Sequence, residues 1–182
     1  SWNINSVRAR IDNLKLYINE KKPDILLLQE TKTENINFPI KEIEKLGYSA
    51  IYHGQKSYNG VAIISKKPAS NTIFGLPNFE TDIQARYIEC EIENIHISSL
   101  YLPNGNPINS EKFDYKLEWM EKLYEHTRNL IKNDKDVILG GDWNIAPQSI
   151  DLFDEKIFEN DAIYNIKCKK IYRKIENLGL ID

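Results

Sequence analysis

The chain has 182 residues, 28% of them charged and 41% hydrophobic, which suits one globular domain with its own core. A formal net charge of −3 and a pI near 5.7 exclude a uniformly basic nucleic-acid-binding surface, though not a local Lys/Arg rim beside a divalent cation. No apolar stretch reaches membrane-spanning length and no signal peptide is visible. The two cysteines, Cys90 and Cys168, make no metal spacing and read as a reduced, cytoplasmic pair.

The first residues, Trp2-Asn3-Ile4-Asn5, read as a strand followed by polar groups. Val7, Ile11, Leu14 and Ile18 recur at helical spacing, so an amphipathic helix is expected from about Val7 to Lys21, ended by Pro23 and Asp24. Ile25-Leu26-Leu27-Leu28 is a wholly apolar strand running into Gln29-Glu30-Thr31-Lys32. Ile43 and Leu46 predict a short helix closed by Gly47. Residues 48–52 and 61–65 read as strands on either side of the loop His53 to Gly60. Tyr87 to Ile92 alternates apolar and polar residues, and Ile95 to Tyr101 follows after a polar turn, which predicts a hairpin. Pro103-Asn104-Gly105-Asn106-Pro107 is a loop. A long amphipathic helix is expected from Lys112 to about Lys132, with Phe113, Leu117, Met120, Leu123 and Leu130 near one face. Asp136 to Leu139 is a β-branched, apolar strand that Gly140 and Gly141 are expected to stop, turning the chain at Asp142-Trp143-Asn144. A last helix spans about Tyr164 to Leu178. Strands mixed with helices indicate an α/β layered fold.

Asn3, Glu30 and Asp142 with Asn144 each fall at the carboxyl end of an apolar strand, where ligands bind in open α/β sheets. Taken singly, each is an ordinary helix cap or turn residue. Three such ends together point to a hard-cation site acting on a phosphate ester. Carboxylates suit Mg²⁺ or Mn²⁺, and amides can ligate or reach a phosphate oxygen without adding charge. Tyr101 ends another apolar strand and could hydrogen-bond a phosphate from the same mouth. Arg8, Lys32, Lys56 and Arg86 lie at strand ends or in polar loops, and Tyr58 and Asn59 accompany Lys56. That combination could hold a DNA backbone, although each basic residue alone reads as a solvated charge. His53, His96 and His126 sit in unrelated contexts and read as structural or solvated. There is no G-x-S-x-G elbow, no P-loop and no dinucleotide fingerprint.

Three segments now stand out: Trp2-Asn3-Ile4-Asn5-Ser6-Val7-Arg8-Ala9-Arg10, Leu28-Gln29-Glu30-Thr31-Lys32, and Gly140-Gly141-Asp142-Trp143-Asn144. They resemble the exonuclease III family of apurinic/apyrimidinic endonucleases. Further blocks, residues 52–62, Tyr101-Leu102-Pro103-Asn104-Gly105 and residues 112–119, are similar to that family in the same order. The resemblance implies the four-layer α/β sandwich of the DNase I-like superfamily, two packed mixed sheets with helices outside. It implies a DNA-repair hydrolase dependent on Mg²⁺ or Mn²⁺, cutting 5′ to abasic sites and trimming 3′ ends; independently of the resemblance, a monomer without membrane association is expected. By the resemblance, Glu30 is the principal metal ligand, with Asn3, Asp142 and Asn144 beside it. Asp142 orients or deprotonates the attacking water or protonates the leaving oxygen, Asn144 supports the phosphate, and Tyr101 stabilises the transition state. Arg8, Lys32, Lys56, Tyr58, Asn59, Arg86 and Asn104 form the DNA-binding set.

The family's Ser-Asp-His motif does not occur in these residues. With no initiator Met, residues 1–182 are expected to be a single incomplete domain, cut at both ends and weak or inactive alone. Two alternatives remain open: a phosphoesterase of the same superfamily acting on RNA or inositol phosphates, and a non-catalytic DNA-binding remnant.

Overall fold

A computed structural model describes all residues, Ser1–Asp182, and they fall into two compact units. The first comprises residues 1–76, 80–101 and 135–142; the second comprises 77–79, 102–134 and 143–182.

The first unit is built on two mixed four-stranded sheets. In one, β1 (Trp2–Asn3), β2 (Ile25–Gln29), β3 (Ser49–His53) and β4 (Val61–Ser65) lie in the order β1-β2-β4-β3, with β1 and β2 parallel and the other pairs antiparallel. Successive side chains of a strand face opposite ways. Leu26 and Leu28 therefore pack with Ala62 and Ile64 beneath α1 (Ile11–Lys21) and α2 (Ile40–Glu44), against Leu14, Ile18 and Ile43. Leu27, Val61 and Ile63 point to the other side and meet Ile88, Cys90, Ile92 and Ile97 of the second sheet. Burial on both faces is the reason β2 reads as an unbroken apolar run. Each such Leu or Ile contributes about 1.5–3 kcal/mol by leaving water.

The second sheet orders β5 (Ser70–Phe74), β6 (Tyr87–Ile92), β7 (Ile95–Tyr101) and β8 (Asp136–Asp142) consecutively. The β6–β7 hairpin turns at Glu93 and Asn94, both with positive φ (52° and 68°), which matches the right-handed twist of its strands. Strand β8 runs parallel to β7, pairing Ser99 with Gly140, Leu100 with Gly141 and Tyr101 with Asp142.

The second unit contains α3 (Glu111–Lys132) and α4 (Ile166–Glu176), which lie against each other, and short 3₁₀ turns at residues 149–151, 155–158 and 162–164. No helix of the chain is long and apolar enough to cross a membrane.

Three sequence expectations are corrected. The first helix starts at Ile11 rather than Val7, because Asn5 and Ser6 adopt positive φ (45° and 85°) and residues 7–10 form turns. Gly140 and Gly141 do not stop β8; the ladder continues through both. They are needed for close approach: a Cβ on Gly140 would lie 2.2 Å from Leu27 Cδ1, and one on Gly141 (φ +157°) would lie 2.0 Å from the Leu100 carbonyl oxygen. Strand β5 went unread because Ser70-Asn71-Thr72-Ile73-Phe74 is polar and mostly exposed, and its pairing with β6 shifts register between Ser70 and Ile73.

Candidate active site

Three strand ends of the first unit converge through one amide. Asn3, closing β1, donates from Nδ2 to Glu30 Oε1 (2.8 Å) and to Asp142 Oδ2 (2.8 Å). Its Oδ1 accepts from the backbone N–H of Asn5 (3.2 Å), which fixes the direction of the amide. Asn3 is thus a spacer that holds two carboxylates at one point and offsets their mutual repulsion.

Glu30 follows β2 with φ +51°, an uncommon conformation for a residue with a side chain. The surrounding backbone holds it there. Ser6 N–H donates to the Glu30 carbonyl (2.7 Å), while Thr31 and Lys32 N–H donate to the carbonyls of Gly60 (3.0 Å) and Asn59 (2.9 Å). A Cβ on Gly60, itself at φ +93°, would lie 2.1 Å from Thr31 Oγ1, so glycine is required where the two loops meet. Such local strain, held by its surroundings, is typical of functional sites.

The Glu30 carboxylate also takes Lys32 Nζ at 2.7 Å and the Tyr101 hydroxyl. Burial by itself would raise its pKa. The hydrogen bonds from Asn3, Lys32 and Tyr101, with the Lys32 charge, outweigh burial and hold it below the ordinary glutamate value. Tyr101 is pushed up to about 12, first by burial and then by the Glu30 charge and hydrogen bond, so at neutral pH its hydroxyl remains a donor. Arg86 lies over the Tyr101 ring, 4.9 Å from its centroid, and donates to the Tyr101 carbonyl (3.3 Å) and to Gln84 Oε1 (2.9 Å).

Of the remaining sequence candidates, Arg8, Lys32 and Lys56 line one polar cleft of about 220 Å³ with Thr33, Glu34, Asn37 and Ser57. Tyr58 stands exposed on the neighbouring loop. Asn59 is buried, and its amide donates to Gln55 Oε1 and Gln84 Oε1, both at 3.1 Å, so it braces the loop that supports Glu30. Asn104 and Asn144 belong to the second unit. Asn144, at φ +44°, donates from Nδ2 to the Leu102 carbonyl (2.8 Å), and Asn104 is exposed.

Sequence reasoning missed the latch beneath the strand ends. Buried Ser99 donates to the Leu28 carbonyl (3.0 Å) and accepts from Gln29 Nε2 (3.0 Å), tying β7 of one sheet to β2 of the other. Polar residues at core positions of two apolar strands were the available signal.

The donor set is oxygen-rich and fits a hard divalent cation. Glu30 and Asp142 share one point, and the Lys32 ammonium marks the position where Glu30 meets a positive charge. An ion held by these two carboxylates would keep several waters, as Mg²⁺ does.

The sequence pattern of the Endonuclease/Exonuclease/phosphatase family matches residues 1–178. An exodeoxyribonuclease of Bacillus subtilis is 33% identical over the whole chain, which covers 72% of that relative. Two solved structures superpose closely. An AP endonuclease from Archaeoglobus fulgidus has TM-score 0.94 and 36% identity, covering 99% of this chain and 70% of its own. A 3′ phosphatase from Neisseria bound to a product DNA hairpin has TM-score 0.95 and 32% identity, covering 100% and 70%. The chain spans 72%, 59% and 51% of the length of three curated relatives that it matches. Its fold is the DNase I-like α/β arrangement of two mixed sheets with helices. The chain belongs to the Endonuclease/Exonuclease/phosphatase family, among the exodeoxyribonuclease III and AP endonuclease proteins.

Proposed function

We propose that the protein is a DNA-repair nuclease that hydrolyses DNA phosphodiesters 5′ to abasic sites and trims 3′ ends. The single observation that supports this most is the Asn3 amide joining the Glu30 and Asp142 carboxylates beside Tyr101. Relatives named for acting on DNA, one of them solved with a DNA hairpin, favour DNA over RNA or inositol phosphates.

Divalent-metal dependence is general to the family. We assign Mg²⁺ or Mn²⁺, held by the Glu30 and Asp142 carboxylates, and give the Asn144 amide of the second unit a role on the DNA phosphate. When bound, the ion neutralises charge that develops on the phosphate oxygens. The chain's own groups do the rest. Asp142 accepts the proton of the water that attacks phosphorus, or returns one to the departing 3′ oxygen as the P–O bond breaks. Tyr101 donates a hydrogen bond to a non-bridging phosphate oxygen, and Arg86 fixes the ring that carries it. Asn3 keeps Glu30 and Asp142 in register. Arg8, Lys32 and Lys56 hold the DNA backbone along their shared cleft, Tyr58 and Arg86 contribute from the same unit, and Asn59 acts from beneath by bracing the loop; Asn104 is the DNA-binding candidate of the second unit. The buried free thiols Cys90 and Cys168 suit a cytoplasmic setting, and we assign a monomer.

The test is an end-labelled duplex with one abasic site, incubated with Mg²⁺ or with EDTA. Two proteins are compared: the 182-residue chain, and a chain continued with the C-terminal part of the Bacillus subtilis relative. Incision 5′ to the site that EDTA and Asp142→Ala both abolish supports the assignment. No incision by either chain, with DNA binding that survives EDTA, supports the non-catalytic alternative instead.

A further inference from the structure

Lys116 occupies a place where a lysine is unusual. It lies on the buried face of α3, between Phe113 and Met120, and is 0% exposed. Lysines near a surface extend their stems and keep the ammonium in water. Here the ammonium points inward. Its Nζ donates to the carbonyl oxygens of Asn144 (2.7 Å), Asn104 (3.0 Å) and Ala162 (3.4 Å). These three acceptors come from three separate segments of the second unit: two loops and the start of the 162–164 turn.

The same segments are stitched to one another around that centre. Asn144 donates to the Leu102 carbonyl (2.8 Å), and Ala146 N–H to that of Ile163 (2.8 Å). Asn106 accepts from Ala162 N–H (2.9 Å) and donates to Asp161 Oδ1 (2.9 Å). Gly105, at φ +83°, leaves room for the lysine stem: a Cβ there would lie 2.5 Å from Lys116 Cδ and 3.3 Å from Ala162 Cβ. A methionine would fill this volume, but it would leave three carbonyls without their charged donor.

We propose that Lys116 is a positioning residue: its ammonium fixes the backbone of Asn104 and Asn144, and so aims the two amide side chains that the nuclease reading places on the DNA. The proposal rests on that reading for its functional part only. The anchoring itself is a property of the second unit.

Two measurements test it. Hydrogen exchange on the 182-residue chain compares the wild type with Lys116→Met. Amides in residues 104–106 and 144–146 are expected to exchange at least about tenfold faster, while those of β2 and α1 keep their rates. Uniform acceleration across the chain, or no change in these loops, would overturn the anchoring role. Cleavage by the continued chain completes a double-mutant cycle with Asn144→Ala. Lys116→Met is expected to lower kcat about 100-fold in the wild-type background, with a smaller change in KM. In the Asn144→Ala background the same substitution should cost measurably less, because one of the two amides it aims is gone and only Asn104 remains. Equal losses in both backgrounds would overturn the proposal.

If Lys116→Met fails to fold, Lys116→Arg retains the charge but alters its reach. Faster exchange confined to the same loops then supports the anchoring, and wild-type exchange with wild-type cleavage overturns it. Absence of cleavage by the unsubstituted continued chain counts against the nuclease reading alone, since hydrogen exchange still decides the role of Lys116.

Discussion

Glu30 and Asn144 are held by opposite means. Glu30 sits at a strand end, and side chains converge on its carboxylate: Asn3, Lys32 and Tyr101. Asn144 is fixed through its backbone, whose carbonyl meets a buried ammonium, while its own amide reaches Leu102. A carboxylate that must meet a cation or a water needs its charge arranged, and neighbouring donors do that. An amide that must face a phosphate needs mainly a stable direction, and anchoring the chain beneath it suffices. The two regions should therefore fail differently when perturbed.

The largest effect is expected at Asp142, the proposed proton acceptor. Asp142→Ala should lower cleavage by about 10³-fold or more, measured as kcat/KM on the abasic duplex, with little change in thermal stability. Glu30→Gln should cost about 10²-fold at low metal and recover partly as metal is raised, because a ligand rather than a proton acceptor is lost.

The scaffold under those acids separates from their chemistry. Gly141→Ala drives a Cβ into the Leu100 carbonyl, so a loss of about 3 kcal/mol, or a fall in Tm of roughly 10 °C, is expected by calorimetry. Gly140→Ala meets only the movable end of Leu27 and should cost roughly 1–2 kcal/mol.

The smallest effect sharpens the electrostatic half of the comparison. Tyr101→Phe removes one of the hydrogen bonds that hold the Glu30 pKa down, so that pKa should rise. The acid limb of Mn²⁺ binding, followed by calorimetry through the ordinary glutamate range and below it, should then move to higher pH, with cleavage falling about tenfold. A limb that stayed in place or moved to lower pH would contradict the assigned donors. The sign for stability follows the same direction. A carboxyl with a depressed folded-state pKa stabilises above its unfolded value and loses that contribution as pH falls through the folded one.

How much of this could be read from the sequence divides along the same line. Glu30 and Asp142 were legible because apolar runs end on them, and strand ends are where open α/β sheets present ligand groups. The strands β2, β4 and β6 were legible because their period-two or unbroken apolar patterns follow directly from which faces are buried. Supports that act at long range were not legible. Lys116 reads as one more polar residue in a helix until the loops that meet it are placed around it. Asn59 reads as a surface amide until Gln55 and Gln84 close over it. Gly140 and Gly141 look like a stop signal because glycine marks turns more often than it marks a strand passing close to a neighbouring backbone. The helix start was misplaced for a local reason, since Val7 is buried and apolar yet follows two residues at positive φ.

The most direct test of the central claim, that Glu30 and Asp142 joined by Asn3 form a divalent-metal site for DNA hydrolysis, is a Mg²⁺ titration of abasic-site incision. It compares the continued chain with its Glu30→Gln variant. Half-saturation is expected to move to Mg²⁺ concentrations at least about tenfold higher in the variant, with incision partly restored at the top of the range. An unchanged half-saturation with only the plateau lowered would contradict a metal-binding role for Glu30 and the account built on it.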